Sequence, residues 1–324
     1  MLKPAQPPRL SAPLLCDTAH SAYDLSLSLC RPRSLKCVYP VMPPMSEYVA
    51  GRLMEPLLTL KVLEQMRSAV HSGLSAVACS LDLQRSITTV SLDAHGWNWG
   101  ERRFPYLQEC KERTIYHWTG VAFEPAARYS NSLIKLVPTD WGPPTFEIDG
   151  IKMLPTARVS PYADAERKVR LIRPRGRVVL DTCGGLGYFA AWCVQGQAVQ
   201  VLSYEKNADV IWLRSLNPWS PAVGGVLTLT QGDITEQITI LPARSVDAIL
   251  HDPPRFGIAG ELYSQAFYDQ LARVIRRRGR LFHYTGTPNQ LASQRNVPLE
   301  VSRRLRDAGF ATQLDGDGVL AIRN

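Results

Sequence analysis

The chain has 324 residues, 45% hydrophobic and 20% charged, with a formal charge of +8. That composition suffices for a buried core and contains no unbroken apolar run long enough for a membrane-spanning helix, so a fully disordered chain and a helical membrane protein are both excluded. The seven cysteines (Cys16, Cys30, Cys37, Cys79, Cys110, Cys183 and Cys193) form no CxxC pair, which argues against a zinc site or disulfide framework.

A reducing, cytoplasmic setting without a bound metal or a membrane partner is therefore expected. The positive charge predicts a polyanionic partner, with nucleic acid first among the choices, whereas a solvated arginine face is the alternative. The length suits two domains.

Residues 1–44 hold eight of the 24 prolines and no signal-peptide pattern, which predicts a disordered extension. Initiation at Met45 is the other reading of this segment. From Glu55 to Val70, apolar residues recur at helical spacing and Gly73 supplies a stop. Ser80 to Trp99 reads as a hairpin with a turn at Asp93–Gly96. Short strands follow at Ile115–Trp118, Leu133–Val137 and Phe146–Ile151. Residues 45–155 are expected to form a small α+β domain.

Beyond residue 156 the pattern changes. Strand-like runs at 177–181, 198–204, 227–231, 247–251, 279–284, 311–314 and 319–322 alternate with helical patterns near 189–195, 208–216, 264–277 and 298–308. Such alternation predicts an α/β architecture, a mostly parallel doubly wound sheet over 156–324.

Within it, Val178-Val179-Leu180-Asp181-Thr182-Cys183-Gly184-Gly185-Leu186-Gly187-Tyr188 is a buried strand ending in an acid, then a glycine-rich turn opening a helix. Alone, such a turn also suits dinucleotides and phosphates. The next strand ends at Glu205, 24 residues after Asp181, where a carboxylate can accept from both ribose hydroxyls. The third strand is followed by Asp233, where an acid can meet an adenine amino group. Three acids at successive strand ends suit a cationic nucleoside cofactor better than a pyrophosphate, although acids at strand ends are also common in α/β sheets.

At these residues the chain resembles the class I S-adenosylmethionine-dependent methyltransferases, over roughly its C-terminal half. The resemblance implies the Rossmann-like class I methyltransferase fold and S-adenosylmethionine as cofactor. It assigns Asp181, Gly185 and Gly187 to the methionine portion, Glu205 to the ribose and Asp233 to the adenine. Cys183 stands where the family's first glycine falls; it is expected to preserve the turn within the cofactor site and not to act as a nucleophile.

After the fourth strand, His251-Asp252-Pro253-Pro254-Arg255-Phe256 resembles the (Asp/Asn)-Pro-Pro-aromatic motif of amino-methyltransferases. That implies catalytic roles for Asp252, Pro253 and Pro254, which would align an exocyclic amine with the methyl group. Arg255 takes the aromatic position with Phe256 behind it, a form that also resembles tRNA and rRNA base methyltransferases, and both are candidate substrate contacts. The stretch from Gly260 to Leu271, leading to Gly279-Arg280-Leu281-Phe282, resembles spermidine synthases. Those transfer an aminopropyl group from decarboxylated adenosylmethionine, and Asp252 could serve either chemistry.

The run from Pro143 onward, including Asp181–Tyr188 and His251–Phe256, resembles a predicted, largely archaeal methyltransferase family. His251 and His283, with Tyr284, stand at adjacent strand ends as substrate-pocket candidates; satisfied structural histidines are the other reading. Arg276–Arg278 with Arg280, and Arg303, Arg304 and Arg306, either contact phosphates or complement helix C-termini. A non-catalytic RNA-binding module is a third possibility, and retention of Asp252-Pro253-Pro254 argues against it.

Overall fold

A computed structural model of the protein describes residues 55–286 and 296–324, with the backbone of 48–49 and 52–53. The extension expected over 1–44, with Met45, lies outside the described residues. By contacts, Val41–Asn324 forms one compact unit.

Its first part is a series of small antiparallel sheets. Tyr48–Val49 (β1) pairs with Arg52–Leu53 (β2). Leu57–Leu58 (β3) leads into helix α1, Leu60–His71. Ala76–Cys79 (β4), Thr88–Leu92 (β5), Gly96–Trp99 (β6) and Arg102–Pro105 (β7) form a four-stranded meander. Tyr116–Trp118 (β8) joins β3 to Phe123–Pro125 (β9). Ala127–Tyr129 (β10), Leu133–Val137 (β11), Thr145–Ile148 (β12) and Ile151–Lys152 (β13) make the last sheet.

Two expectations shift here. The helix begins at Leu60 and not near Glu55, because Thr59 caps it, accepting from Val62 N at 3.4 Å. Leu57 and Leu58 instead pair with His117 and Tyr116. The hairpin turn at Asp93–Gly96 is present between β5 and β6, but Leu81 and Leu83 are not in a strand. Asp82 accepts from Arg85 N and Ser86 N and bends that segment into a turn.

The second part opens with helix α2, Pro161–Ile172, which the periodicity reading missed. Val178–Asp181 (β14), Tyr188–Gln195 (α3), Gln200–Glu205 (β15), Ala208–Leu216 (α4), Leu227–Gln231 (β16), Ile234–Ile240 (α5) and Val246–His251 (β17) follow. Then come Gln265–Val274 (α6), Ile275–Tyr284 (β18), Val297–Asp307 (α7), Phe310–Asp315 (β19) and Gly318–Arg323 (β20). The sheet order is β16-β15-β14-β17-β18-β20-β19. Its first five strands are parallel, and β20 runs antiparallel to both β18 and β19.

Strand alternation sends successive side chains to opposite helical layers. Val179 and Leu250 pack with Val169 of α2 and Ala190 of α3, whereas Leu180 and Ile249 pack with Ile238 of α5 and Leu271 of α6. The first of these cores is continuous with Ile134, Leu136 and Phe146 of β11 and β12. The sheet before residue 155 is therefore seated against the parallel sheet's helical layer, above the ends of its strands. Among the described residues, no helix is long and apolar enough to cross a membrane.

Candidate active site

The parallel strands β14 to β18 end on one side of the sheet. Their following loops, together with α2 and the β12–β13 hairpin, bound a cavity of about 970 Å³. A crevice outside the carboxyl ends of parallel strands is where ligands bind in open α/β sheets.

The loop after β14 is held by close backbone approach. Gly184 N donates to Tyr204 O at 2.7 Å, and a Cβ at Gly184 would lie 2.5 Å from Ser203 Oγ. Gly187 has φ +83° and caps α3; a Cβ there would lie 2.6 Å from Arg214 Cζ. A side chain is disfavoured at both positions, by crowding at Gly184 and by the positive φ at Gly187. Arg214 of α4 fills the space beneath the loop, donating from Nη1 to Ser203 Oγ at 3.3 Å. Its Nε and Nη2 find no hydrogen-bond partner among the described residues. Burial pulls its pKa down, opposed by the charges of Asp181 and Glu205.

Glu205, at the end of β15, lines the cavity. Its Oε2 accepts from Gly185 N and its Oε1 from Asn207 N, each at 2.9 Å. Burial raises its pKa against these two hydrogen bonds. Each oxygen has a further lone pair with which to accept from a ligand hydroxyl. Asp233 also lines the cavity and caps α5, accepting from Thr235 N at 2.9 Å and from Lys206 Nζ at 2.7 Å. Burial opposes ionisation, yet the bonds from Lys206 and Thr235 hold its carboxyl below the usual range.

Four residues lie elsewhere than their expected positions. Asp181 is buried under the loop and does not line the cavity; it accepts from Ser203 Oγ at 2.8 Å. Burial pushes its pKa up to about 6. It shapes the loop from below and makes no contact with the cavity.

His251 is buried, its Nδ1 2.7 Å from Thr182 Oγ1 and its Nε2 3.1 Å from Leu262 O. A carbonyl only accepts, so Nε2 carries the proton and Nδ1 accepts from Thr182. Burial lowers its pKa to about 4. His283 is fully buried, with Nε2 2.9 Å from Tyr268 OH and Nδ1 2.9 Å from Tyr284 O. Burial and the neighbouring His251 hold it neutral, well below its ordinary value. Both histidines sit under the floor, satisfied by protein groups. Phe256 does not line the cavity and meets Tyr263 edge-on at 5.4 Å.

Cys183, Asp252, Pro253, Pro254, Arg255 and Tyr284 do line the cavity. The Cys183 thiol is pushed far up by burial, then by the Glu205 charge. A thiol so disfavoured as thiolate is a turn residue and no nucleophile. Pro254 O accepts from Tyr263 OH at 3.1 Å, which pins the Pro-Pro turn.

The feature absent from the sequence reading is Lys168. It comes from α2, is 1% exposed, and places Nζ 2.8 Å from Asp164 Oδ2 and 3.4 Å from Asp252 Oδ2. The same Nζ stands 3.6 Å above the Tyr284 ring. Burial alone would neutralise it, but Asp252 and Asp164 drive its pKa above the ordinary lysine value. Asp252 shows the converse: burial raises its pKa and Lys168 pulls it back. Asp164 also receives Arg167, which pairs in turn with Asp317. The Ser160-Pro161 start of α2, a serine cap followed by proline, was the available sequence signal for this helix.

A seven-stranded sheet of this order, with its glycine-rich loop after the first parallel strand, defines a Rossmann-like class I methyltransferase fold, which spermidine synthases share. A spermidine synthase solved with the transition-state analogue AdoDATO superposes with a TM-score of 0.50 at 15% identity, covering 61% of this chain and 73% of that one. A methyltransferase structure from Mesorhizobium loti matches with a TM-score of 0.36 at 15% identity, over 49% of this chain and 96% of that one. No family model matches the chain. In sequence it is 41% identical over 203 residues to the uncharacterized protein MJ1233 of Methanocaldococcus jannaschii, spanning 61% of this chain and 69% of that protein. The chain belongs to the MJ1233 family.

Proposed function

We propose that this protein is an S-adenosylmethionine-dependent methyltransferase of the cytoplasm whose acceptor is an uncharged nucleobase of tRNA or rRNA. The cavity residues fit the cofactor. Glu205 keeps free lone pairs for two ribose hydroxyls, Asp233 at the cavity wall would meet the adenine amino group, and the Gly184–Gly187 backbone would lie against the methionine portion. Bound there, the cofactor supplies a methyl group on a cationic sulfonium.

The chain's own residues then position the acceptor. Asp252 accepts a hydrogen bond from the acceptor's N–H and receives its proton as the new bond forms. Burial makes it a stronger base than an ordinary carboxylate, and Lys168 keeps it ionised. Tyr263 fixes the Pro254 carbonyl, so the turn presents a set geometry.

One observation favours methyl transfer to a neutral acceptor over aminopropyl transfer to a polyamine. The acidic, aromatic cage beside Asp252 that would hold a cationic amine already holds the protein's own ammonium, Lys168. A second ammonium about 4 Å away would meet a repulsion of roughly 4 kcal/mol at an effective dielectric of about 20. The neighbouring carboxylates Asp164 and Asp317 favour the aminopropyl reading, but both are engaged by Arg167.

Calorimetry with adenosylmethionine and its decarboxylated form, in parallel, tests the choice. Binding of adenosylmethionine is expected; tight binding of only the decarboxylated form refutes it. Asp252→Ala should abolish methyl incorporation into RNA while cofactor affinity stays within about twofold, since general-base removal typically costs 10²–10⁴-fold in rate. Full residual activity would remove Asp252 from the reaction.

A further inference from the structure

The end of the sheet opposite the cavity carries a cluster of arginines drawn from two loops and an irregularity in β18. Arg173 and Arg175 lie in the turn before β14, Arg244 in the turn before β17, and Arg277 and Arg278 at the tight bend within β18. Strands β14, β17 and β18 are neighbours, so parallel pairing brings these three segments side by side. Contacts knit them together. Arg276 Nε donates to Arg244 O at 3.0 Å, and Arg280 Nε donates to Leu171 O at 2.7 Å, at the end of α2. Arg173 and Arg177 are close enough to Arg280 to lower its pKa, after burial, by charge repulsion.

Two acids serve this region. Glu166 pairs with Arg170, and Asp247 pairs with Arg276 at 2.6 Å. Arg173, Arg175, Arg244, Arg277 and Arg278 are exposed and carry no ion pair among the described residues. Helix-dipole complementation accounts for Arg170 in the last turn of α2, but not for Arg244, Arg277 or Arg278, which lie outside helices.

The backbone adds an independent observation. Among the described residues, seven non-glycine residues have positive φ, and three of them are Arg173 (+53°), Arg244 (+55°) and Arg278 (+60°). These are positions where glycine is the conformationally favoured residue. Each therefore retains a charged side chain against local backbone preference, and against the repulsion of its neighbours.

We propose that this arginine pole binds the phosphodiester backbone of a nucleic acid. Guanidinium groups suit phosphate oxygens through paired N–H donors, and contacts of this kind position a chain without reading its sequence. The pole lies across the six residues of β17 from Asp252, on the order of 20 Å at about 3.3 Å per residue. That is the straight line through the sheet, so a strand passing over the surface needs more than the roughly six stacked nucleotides, at about 3.4 Å each, that the line alone would take. The pole would thus anchor a strand whose distant nucleotide reaches the cavity. Binding at the pole stands independently of the group transferred, whereas the reach of that strand to the cavity rests on the nucleobase-acceptor reading above.

The backbone geometry supplies the test. In Arg173→Gly/Arg244→Gly/Arg278→Gly, the charge is lost where glycine suits the fold, so the melting temperature should stay level or rise. Binding of a labelled 20-nucleotide RNA, and of DNA of the same sequence, is measured by fluorescence anisotropy across a salt series. The intact protein should bind with a steep salt dependence. The triple variant should lose about three phosphate contacts, lowering the log–log salt slope by about 2 and the affinity by roughly a hundredfold at 0.1 M salt.

Tighter binding of the RNA than of the DNA identifies RNA as the source; the reverse identifies DNA. Unchanged affinity and slope in the triple variant overturns the proposal. So does no oligonucleotide binding by the intact protein, or capture only by vesicles containing anionic phospholipid. Adenosylmethionine calorimetry on the same variant separates failure here from failure of the methyltransferase reading, because the variant leaves the cavity intact.

Discussion

Replacing Lys168 by methionine is the sharpest perturbation of this site. The substitution keeps an unbranched, flexible side chain one atom shorter and removes the charge paired with Asp164 and Asp252. Loss of one partner from a buried ion pair typically destabilises by about 3–5 kcal/mol, because the remaining charge is left uncompensated. Asp164 retains Arg167 and Asp252 is partly exposed, which places the expected loss near the lower limit, about 3 kcal/mol.

At an unfolding entropy of about 2.1 cal/mol/K per residue, that loss lowers the melting temperature of this unit by about 5 °C. Urea and thermal denaturation at pH 7 measure it. In Lys168→Met, Asp252 has lost the charge that pulls its raised pKa back down, so the penalty should shrink as pH falls and the carboxyl takes up a proton. Lys168→Met/Asp252→Asn should recover about 2 kcal/mol relative to additivity, since replacing both partners of a buried pair is often nearly neutral. A single variant within about 0.5 kcal/mol of wild type, or strict additivity in the cycle, would refute the account of Lys168 as Asp252's fixed counter-ion.

Gly187→Ala places a Cβ 2.6 Å from Arg214 Cζ at a φ of +83°. It should cost about 1–3 kcal/mol in stability and eliminate adenosylmethionine binding by calorimetry; wild-type affinity would show that the loop tolerates a side chain. Burial raises Asp181 in the folded state to about 6, above its unfolded value. Its contribution to stability is therefore fully present below about pH 4 and is lost as pH rises through 6. Denaturation of wild type and Asp181→Asn in parallel should show the wild type losing ground between pH 4 and 6 and the difference levelling off above that range. A pH-independent difference would contradict a raised pKa at this position.

Much of the parallel sheet was legible because its signals are local. The runs ending at Asp181, Glu205 and His251 are short and rich in apolar residues, closed by a glycine-rich turn, by the Asn207 helix cap and by Pro-Pro in turn, and each became a strand within a residue or two of the expected limits. Antiparallel elements before residue 155 were harder to read. Ala76–Cys79 has too little alternation to stand out, and it is a strand because β5 pairs with it. Leu57 and Leu58 fit a helical period equally well, and their pairing with β8 is decided by residues about 60 positions away.

The sequence by itself determined that three strand ends carry Asp181, Glu205 and Asp233 after a glycine-rich turn, and that Asp252-Pro253-Pro254 follows the fourth. Backbone conformation and strand-end chemistry depend on neighbours along the chain. Only the tertiary structure decided which of these groups face the cavity. It took Asp181, His251 and His283 out of it, since a side chain at a strand end can turn toward the floor as readily as toward the opening. It also brought Lys168 to Asp252 across 84 residues, a pairing that arises from the packing of α2 against β17 and β18 and leaves no mark on either local stretch.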